Sequence, residues 1–425
     1  MKLKIHINLQ PYFITMNYFF CINKLKQVLA SILVLSWVAC SEQSSDEQND
    51  KKTKVLPKPV INVFLENSGS MDGYVKGVTQ FEQAIYNYLS DLKNYEIADS
   101  FNLFYVNSQL IPQKLSVKEF IQDLEPAVFV ARGGNRQSTD IAKVLATVLN
   151  NTDSNQVSIF VTDGIFSPGK GVNAQEYLAN QEIEIKNHWI AYLKKHPQTM
   201  LVLYKLESQF EGTYYDREDK PYYVRTQRPY YLWIFGNSFY MQQILKKIPQ
   251  KTSLRADSLQ SLCLYNQPYP VPYAIMRNSG EFDLDDENPK KAIKNLNKIE
   301  LGNKKIAKFS VKVNLDTLML PESYILDSTN YVCNEKDFRY QISKLVEPLP
   351  GFSHQITFQT EKDFTGELKL ELKKNLPTWA QTAHDSTGLQ PVPHKTFGIL
   401  HQLIALHQAF SITYDYFTEI SITVK

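Results

Sequence analysis

The 425-residue chain has none of the short motifs that mark the common nucleotide, metal and redox enzymes. It has no G-x-x-x-x-G-K-[ST] loop to cradle phosphate and no G-x-G-x-x-G after a strand, and neither H-E-x-x-H nor C-x-x-C occurs. An excess of one charge is missing too. The 46 basic residues stand against 44 acidic ones, a net charge of +2, so a surface that tracks nucleic-acid phosphates is not indicated. Cysteine is scarce. Of the four, Cys21 and Cys40 belong to an N-terminal leader, which leaves Cys263 and Cys333 to form one disulfide in an oxidising compartment or to stay as two buried thiols. Among the histidines, His401 and His407 fall off a common helix face and read as structural. Ser70 stands in G-S-M-D-G rather than G-x-S-x-G, so serine-hydrolase chemistry has no local support.

What is present is ample material for cores: 43% of residues are hydrophobic and 12% aromatic, enough for two or three domains. The N-terminus has the form of a secretory signal. Lys24 and Lys26 precede a short apolar run over 28–38, too short to span a bilayer, and Ala39-Cys40 follows. The segment resembles a bacterial lipoprotein signal, which implies that Cys40 is lipidated and becomes the mature N-terminus. The expected location is then the cell envelope, as a membrane-anchored lipoprotein of the outer membrane or cell surface; the alternative is an uncleaved N-terminal anchor. Residues 41–57 read as a polar tether, stiffened at its end by Pro57.

The chain is organised around residues 62–73, N-V-F-L-E-N-S-G-S-M-D-G. A β-branched and aromatic run predicts a buried strand, and it ends abruptly in oxygen-bearing residues. Glu66, Ser68 and Ser70 alternate along the exit, and Gly69 allows a tight turn between the serines. Carboxylate and hydroxyl oxygens crowded at a strand end suit a hard cation such as Mg²⁺, and they also suit ordinary turn and helix-capping chemistry. Two later stretches extend the pattern. Residues 132–149, R-G-G-N-R-Q-S-T-D-I-A-K-V-L-A-T-V-L, lead from a glycine loop through Ser138, Thr139 and Asp140 into an amphipathic helix. Residues 157–164, V-S-I-F-V-T-D-G, form a second strand that delivers Thr162 and Asp163 at its C-terminal end. In open α/β sheets such strand ends line the ligand crevice.

These three motifs, in this order, resemble the von Willebrand factor A-type (VWA) domain and its metal-ion-dependent adhesion site, whose pattern is D-x-S-x-S, then a loop threonine, then an aspartate in a T-D-G-like turn. The matching positions are Glu66, Ser68 and Ser70, then Thr139, then Asp163, and the likeness covers roughly 58–250. The departure is Glu66, one methylene longer than the family's aspartate. The resemblance implies a divalent ion (Mg²⁺, or Mn²⁺ or Ca²⁺) held by Ser68, Ser70 and Thr139, with Glu66 and Asp163 acting through water. It further implies a last coordination position offered to an acidic side chain of a protein partner. The chain is thus read as a binding protein and not an enzyme, with no catalytic residue assigned. The alternatives are a scaffold that keeps the fold without metal and, third, a metal-assisted hydrolase.

The expected fold class is α/β. Strand and helix alternate over 58–250: helices at 81–92, 117–124, 139–149, 174–195 and 239–248, and strands at 101–106, 157–161, 200–205 and 230–235. This predicts a doubly wound, mainly parallel, VWA-like sheet. Residues 212–228 read as a tyrosine-rich hairpin that either forms a recognition surface or rests on its own domain. Over 251–425 the period changes to two at 308–314, 353–360, 367–372 and 420–424, predicting a β-rich, sandwich-like C-terminal domain interrupted by a helix at 397–410.

Overall fold

The computed structural model describes residues 57–136 and 140–425; the leader with Cys40, the tether before Pro57 and Thr139 lie outside the described residues. The first strand is the predicted one. β1 (Val60–Glu66) is a run of apolar side chains that alternate between two buried clusters, Ile61, Val63 and Leu65 on one side and Phe64 on the other. It is an interior strand, beside the central β4, of a seven-stranded sheet ordered β3-β2-β1-β4-β6-β5-β7. The other members are β2 (Ser100–Val106), β3 (Leu110–Gln113), β4 (Gln156–Thr162), β5 (Thr199–Tyr215), β6 (Pro221–Asn237) and β7 (Gln260–Tyr265).

β1 runs parallel to β2 and to β4, whereas the other four pairings are antiparallel. The sheet is therefore mixed rather than mainly parallel. The cause is the connection after β5: where a parallel arrangement needs another helical crossover, the chain folds straight back as β6, which inserts between β5 and β4. The two segments read as separate short strands, 200–205 and 230–235, are the inner halves of two continuous 17-residue strands.

Helices cover both faces. The Gln80–Asn94 and Ser238–Lys247 helices put Phe81, Ile85, Leu89, Met241 and Ile244 against Val63, Ile159 and Val202. On the other face, the Ile141–Asn150 and Ala174–Lys195 helices are joined by Ile399–Phe410, from near the end of the chain. Trp189 meets Phe410 at 5.4 Å between ring centroids, and His401 Nδ1 lies 2.8 Å from Glu182. The helix expected to interrupt the C-terminal strands thus roofs the first sheet, because Ile399, Leu403 and Leu406 complete an apolar face that the two earlier helices leave open.

The remaining strands form two five-stranded sheets and a two-stranded one. The first comprises β8 (Tyr273–Ile275), β11 (Lys298–Leu301), β12 (Lys304–Val313), β14 (Arg339–Leu349) and β15 (Phe352–Thr360). The second comprises β9 (Asp283–Leu284), β10 (Ala292–Lys294), β13 (Tyr331–Cys333), β16 (Gly366–Lys373) and β19 (Tyr416–Val424), while β17 (His384–Asp385) pairs with β18 (Thr396–Phe397). Alternate residues of both larger sheets, among them Phe309, Val311, Phe358, Leu370 and Ile422, belong to the same buried cluster as Val63 and Ile159. Residues Pro57–Lys425 form one compact unit. Cys263, buried on β7, and Cys333, on β13, are both free, so the disulfide alternative is set aside in favour of two thiols. Among the described residues no helix is long and apolar enough to cross a membrane.

The division at residue 250 can be tested directly. A chain ending there keeps β1 to β6 but loses β7 and the Ile399–Phe410 helix, and is expected to lack a cooperative thermal transition; a sharp transition would show that 58–250 stands alone. In the whole chain, Leu403→Ala should lower stability by about 2–5 kcal/mol in urea unfolding, the usual range for a buried leucine truncation.

Candidate metal centre

Parallel pairing of β1 and β4 brings their C-terminal ends side by side: Leu65 is in register with Val161, which sets Glu66 next to Thr162. Both are buried, and the Thr162 hydroxyl donates a short hydrogen bond to Glu66 Oε2. The turn that follows is tight. Gly164, at φ +66°, donates its N–H to Thr162 Oγ1 at 2.9 Å, and Ile165 donates to Asp163 Oδ1 at 3.0 Å. Asp163 is buried, and its Oδ2 has no hydrogen-bond partner. Burial pushes its carboxyl above the ordinary range, opposed by the Ser70 hydroxyl, the Ile165 N–H and the charge of Arg228.

The exit from β1 supplies the hydroxyls. Ser68 is the extended residue before a single 3-10 helix, Gly69–Tyr74, and its Oγ lies 3.1 Å from Ser70 Oγ. Asn67 anchors this exit from the other side: its N–H bonds Val106 O at 3.1 Å, and Asn107 Nδ2 donates to its side-chain oxygen at 2.9 Å. Arg136 clamps the same loop, donating to Asn67 O at 2.7 Å and Ser68 O at 3.3 Å and pairing with Asp72, while its own carbonyl accepts the Gly69 N–H. The loop expected to carry Thr139 therefore leaves from beside Ser68. It resumes at Asp140, which caps the following helix through Lys143 N–H and accepts from Gln181 at 3.2 Å. Of the sequence-assigned residues, Glu66, Ser68, Ser70 and Asp163 come together at one end of the sheet; Thr139 is outside the described residues.

Three contributors escaped the sequence reading. Thr162 was visible as a strand-end residue but not as the partner of Glu66. Arg136 sat in a glycine loop with no sign of what it would clamp. Arg228 is the largest omission: fully buried, it stacks over Tyr214 at 4.4 Å and Phe210 at 5.7 Å, and its Nε and Nη1 make no hydrogen bond. A usable signal existed in the alternation along β6, where Tyr222, Val224, Thr226 and Arg228 turn inward and Tyr223 and Arg225 outward. The β5–β6 hairpin rests on its own chain, pressing Phe210 and Tyr214 against the site's back wall. A side chain on Gly73 would start 2.4 Å from the Phe210 ring, and one on Gly212 would start 2.8 Å from Gly73 Cα, so only glycine fits at either position. Tyr74 donates to Pro229 O at 2.6 Å and fastens the 3-10 helix beneath the hairpin.

The oxygen set fits a hard divalent ion. Donors at 2.0–2.1 Å on adjacent octahedral corners stand about 2.9–3.0 Å apart, close to the 3.1 Å between the two serine hydroxyls. The unpartnered Asp163 Oδ2 is what a water-mediated metal contact would satisfy.

The direction of the Asp163 shift gives a pH prediction. A carboxyl whose folded pKa is raised favours folding most below its unfolded value, about 3.9, and that advantage is lost as pH rises through the folded value. In chelator, Asp163→Asn should therefore melt higher than wild type at neutral pH, with the difference closing toward pH 4. In millimolar Mg²⁺ the order should reverse. Equal melting at every pH in both conditions would remove Asp163 from the site.

The chain matches no family model, and no curated protein matches it.

Proposed function

We propose that this protein is a membrane-anchored, cell-envelope binding module in which a VWA-like fold presents a divalent metal site to a carboxylate on a protein partner. The observation that carries the reading is the buried Asp163 carboxylate with an unsatisfied oxygen, at the same strand ends as the paired Ser68 and Ser70 hydroxyls. In this reading Ser68 and Ser70, with Thr139, would hold the ion directly, and Glu66 and Asp163 would hold it through water. The ion would supply a positive centre to which an acidic side chain of the partner could bind. The protein's part is to hold the oxygens in place. Thr162 fixes the longer arm of Glu66, Arg136 braces the backbone that carries Ser68, and Gly164 gives the turn that aims Asp163. The two larger C-terminal sheets read as a sandwich that shares a buried cluster with the sheet holding this site.

A metal-free scaffold is the second reading, favoured by one observation. Arg228 is buried within reach of Asp163, and its guanidinium supplies positive charge where an ion would otherwise do so. Titration of the chain from Lys54 onward with Mg²⁺ and Mn²⁺ separates the two readings. An ion that binds the folded state raises the melting temperature, by about 2.7 kcal/mol of stability at a hundred times its dissociation constant. The metal reading expects that rise in wild type and its loss in Ser70→Ala. No shift at millimolar metal, with Ser70→Ala equal to wild type, establishes the scaffold.

The address has its own test. If Cys40 carries the lipid, Cys40→Ser releases the protein from the membrane fraction, since each buried CH₂ of an acyl chain contributes about 0.8 kcal/mol and serine cannot form the thioether. Full retention of an uncleaved chain points to the anchor alternative.

A further inference from the structure

A second cluster of ligating groups lies away from the strand-end site. Asp316, Glu322 and His354 each offer one donor atom within 4.8 Å of the other two. They come from three elements: the 3-10 helix Leu315–Leu318, the first residue of Glu322–Leu326, and β15. His354 is fully buried, and its Nε2 makes no hydrogen bond although it faces Glu322 Oε1 at 3.4 Å. An unpartnered buried imidazole nitrogen aimed at a carboxylate is an observation independent of the acidic pair, because a nitrogen left in that position loses its solvation without replacement.

The surroundings orient the ring. Nδ1 lies 2.7 Å from Ser353 Oγ and 3.8 Å from Asp316 Oδ1, while Nε2, which faces Glu322, has no hydrogen-bond partner. The same Ser353 Oγ accepts the N–H groups of Leu315 at 3.0 Å and Asp316 at 3.3 Å, so one hydroxyl ties the histidine to the turn that presents Asp316. Such support around a ligating histidine is what fixes a metal site's geometry. The Asp316 and Glu322 side chains are 66% and 39% exposed, so the approach path runs past Asp316, while Glu322 Oε1 itself is buried. Nitrogen and oxygen donors on a tetrahedral zinc with bonds of 2.0–2.1 Å stand about 3.3 Å apart, against the observed 3.4 Å.

We propose that Asp316, Glu322 and His354 form a second cation site, one that takes a borderline transition metal of the zinc type and keeps its fourth position for water or an incoming ligand. An imidazole with two carboxylates selects zinc, cobalt or nickel over magnesium, so the two sites hold different ions. Lys344 is the rival cation: its Nζ stands 3.2 Å from Glu322 Oε1 on an exposed side chain.

The test is calorimetric titration with Zn²⁺ in millimolar Mg²⁺, together with the visible absorption of Co²⁺, which is intense only in tetrahedral sites. The expected result is one Zn²⁺ per chain, bound at least tenfold more weakly by Glu322→Gln and by His354→Gln, and more tightly by Lys344→Met. Glu322 is partly exposed, so its variant remains informative if the buried His354→Gln does not fold. No Zn²⁺ binding would overturn the proposal, leaving Nε2 as a proton donor to Glu322. So would Zn²⁺ binding that is unchanged in Glu322→Gln.

Discussion

Two carboxylates, Glu66 and Asp163, are carried into the interior at the ends of adjacent parallel strands, and most of the structure around them replaces the water they have lost. An unpaired buried charge costs several kcal/mol, so each oxygen needs a donor or a cation. Glu66 receives the Thr162 hydroxyl and Asp163 receives the Ile165 N–H. Ser68 and Ser70 crowd the same space, and Arg228 brings a full positive charge from the hairpin. One oxygen, Asp163 Oδ2, is left over, and the functional reading turns on what satisfies it.

The hairpin explains why the sheet departs from a parallel design. Long paired strands reach beyond the sheet and lay Phe210, Tyr214 and Arg228 over the 3-10 helix that carries Ser70. A crossover helix at that point would have covered the face of the sheet but not the end where the oxygens gather. Antiparallel return therefore trades regularity for a wall behind the site. Gly73 and Gly212, which have no room for a side chain, mark where that wall touches.

How much of this was legible in the sequence depended on range. β1 and β4 announced themselves by continuous apolar runs that end in oxygen-bearing residues, and four of the five assigned metal-site residues do meet at those ends. The C-terminal strands were legible from their period of two. What stayed hidden was set by partners distant in sequence. The run 397–410 was correctly read as helical, but nothing local says that Leu403 and Phe410 pack on Trp189. Arg228 looked like one more charge in a charged ribbon, because burial of an arginine depends on the aromatic partners Phe210 and Tyr214 across the hairpin. The His354 cluster was invisible for the same reason: its members are contributed by separate elements, and no spacing connects them.

Gln402 donates to the carbonyl of Gly164 at 2.7 Å, across 238 residues of chain. The turn that aims Asp163 is thus propped by a helix that leaves the ribosome very late. At about 5–20 residues per second the gap is on the order of 10 to 50 s of synthesis. Through that interval the β4 end, the Ala174–Lys195 helix and their apolar surface have no roof, and so remain open to chaperones that handle unfolded chains. The site at the first strand, written earliest in the sequence, is among the last parts of the protein to become itself.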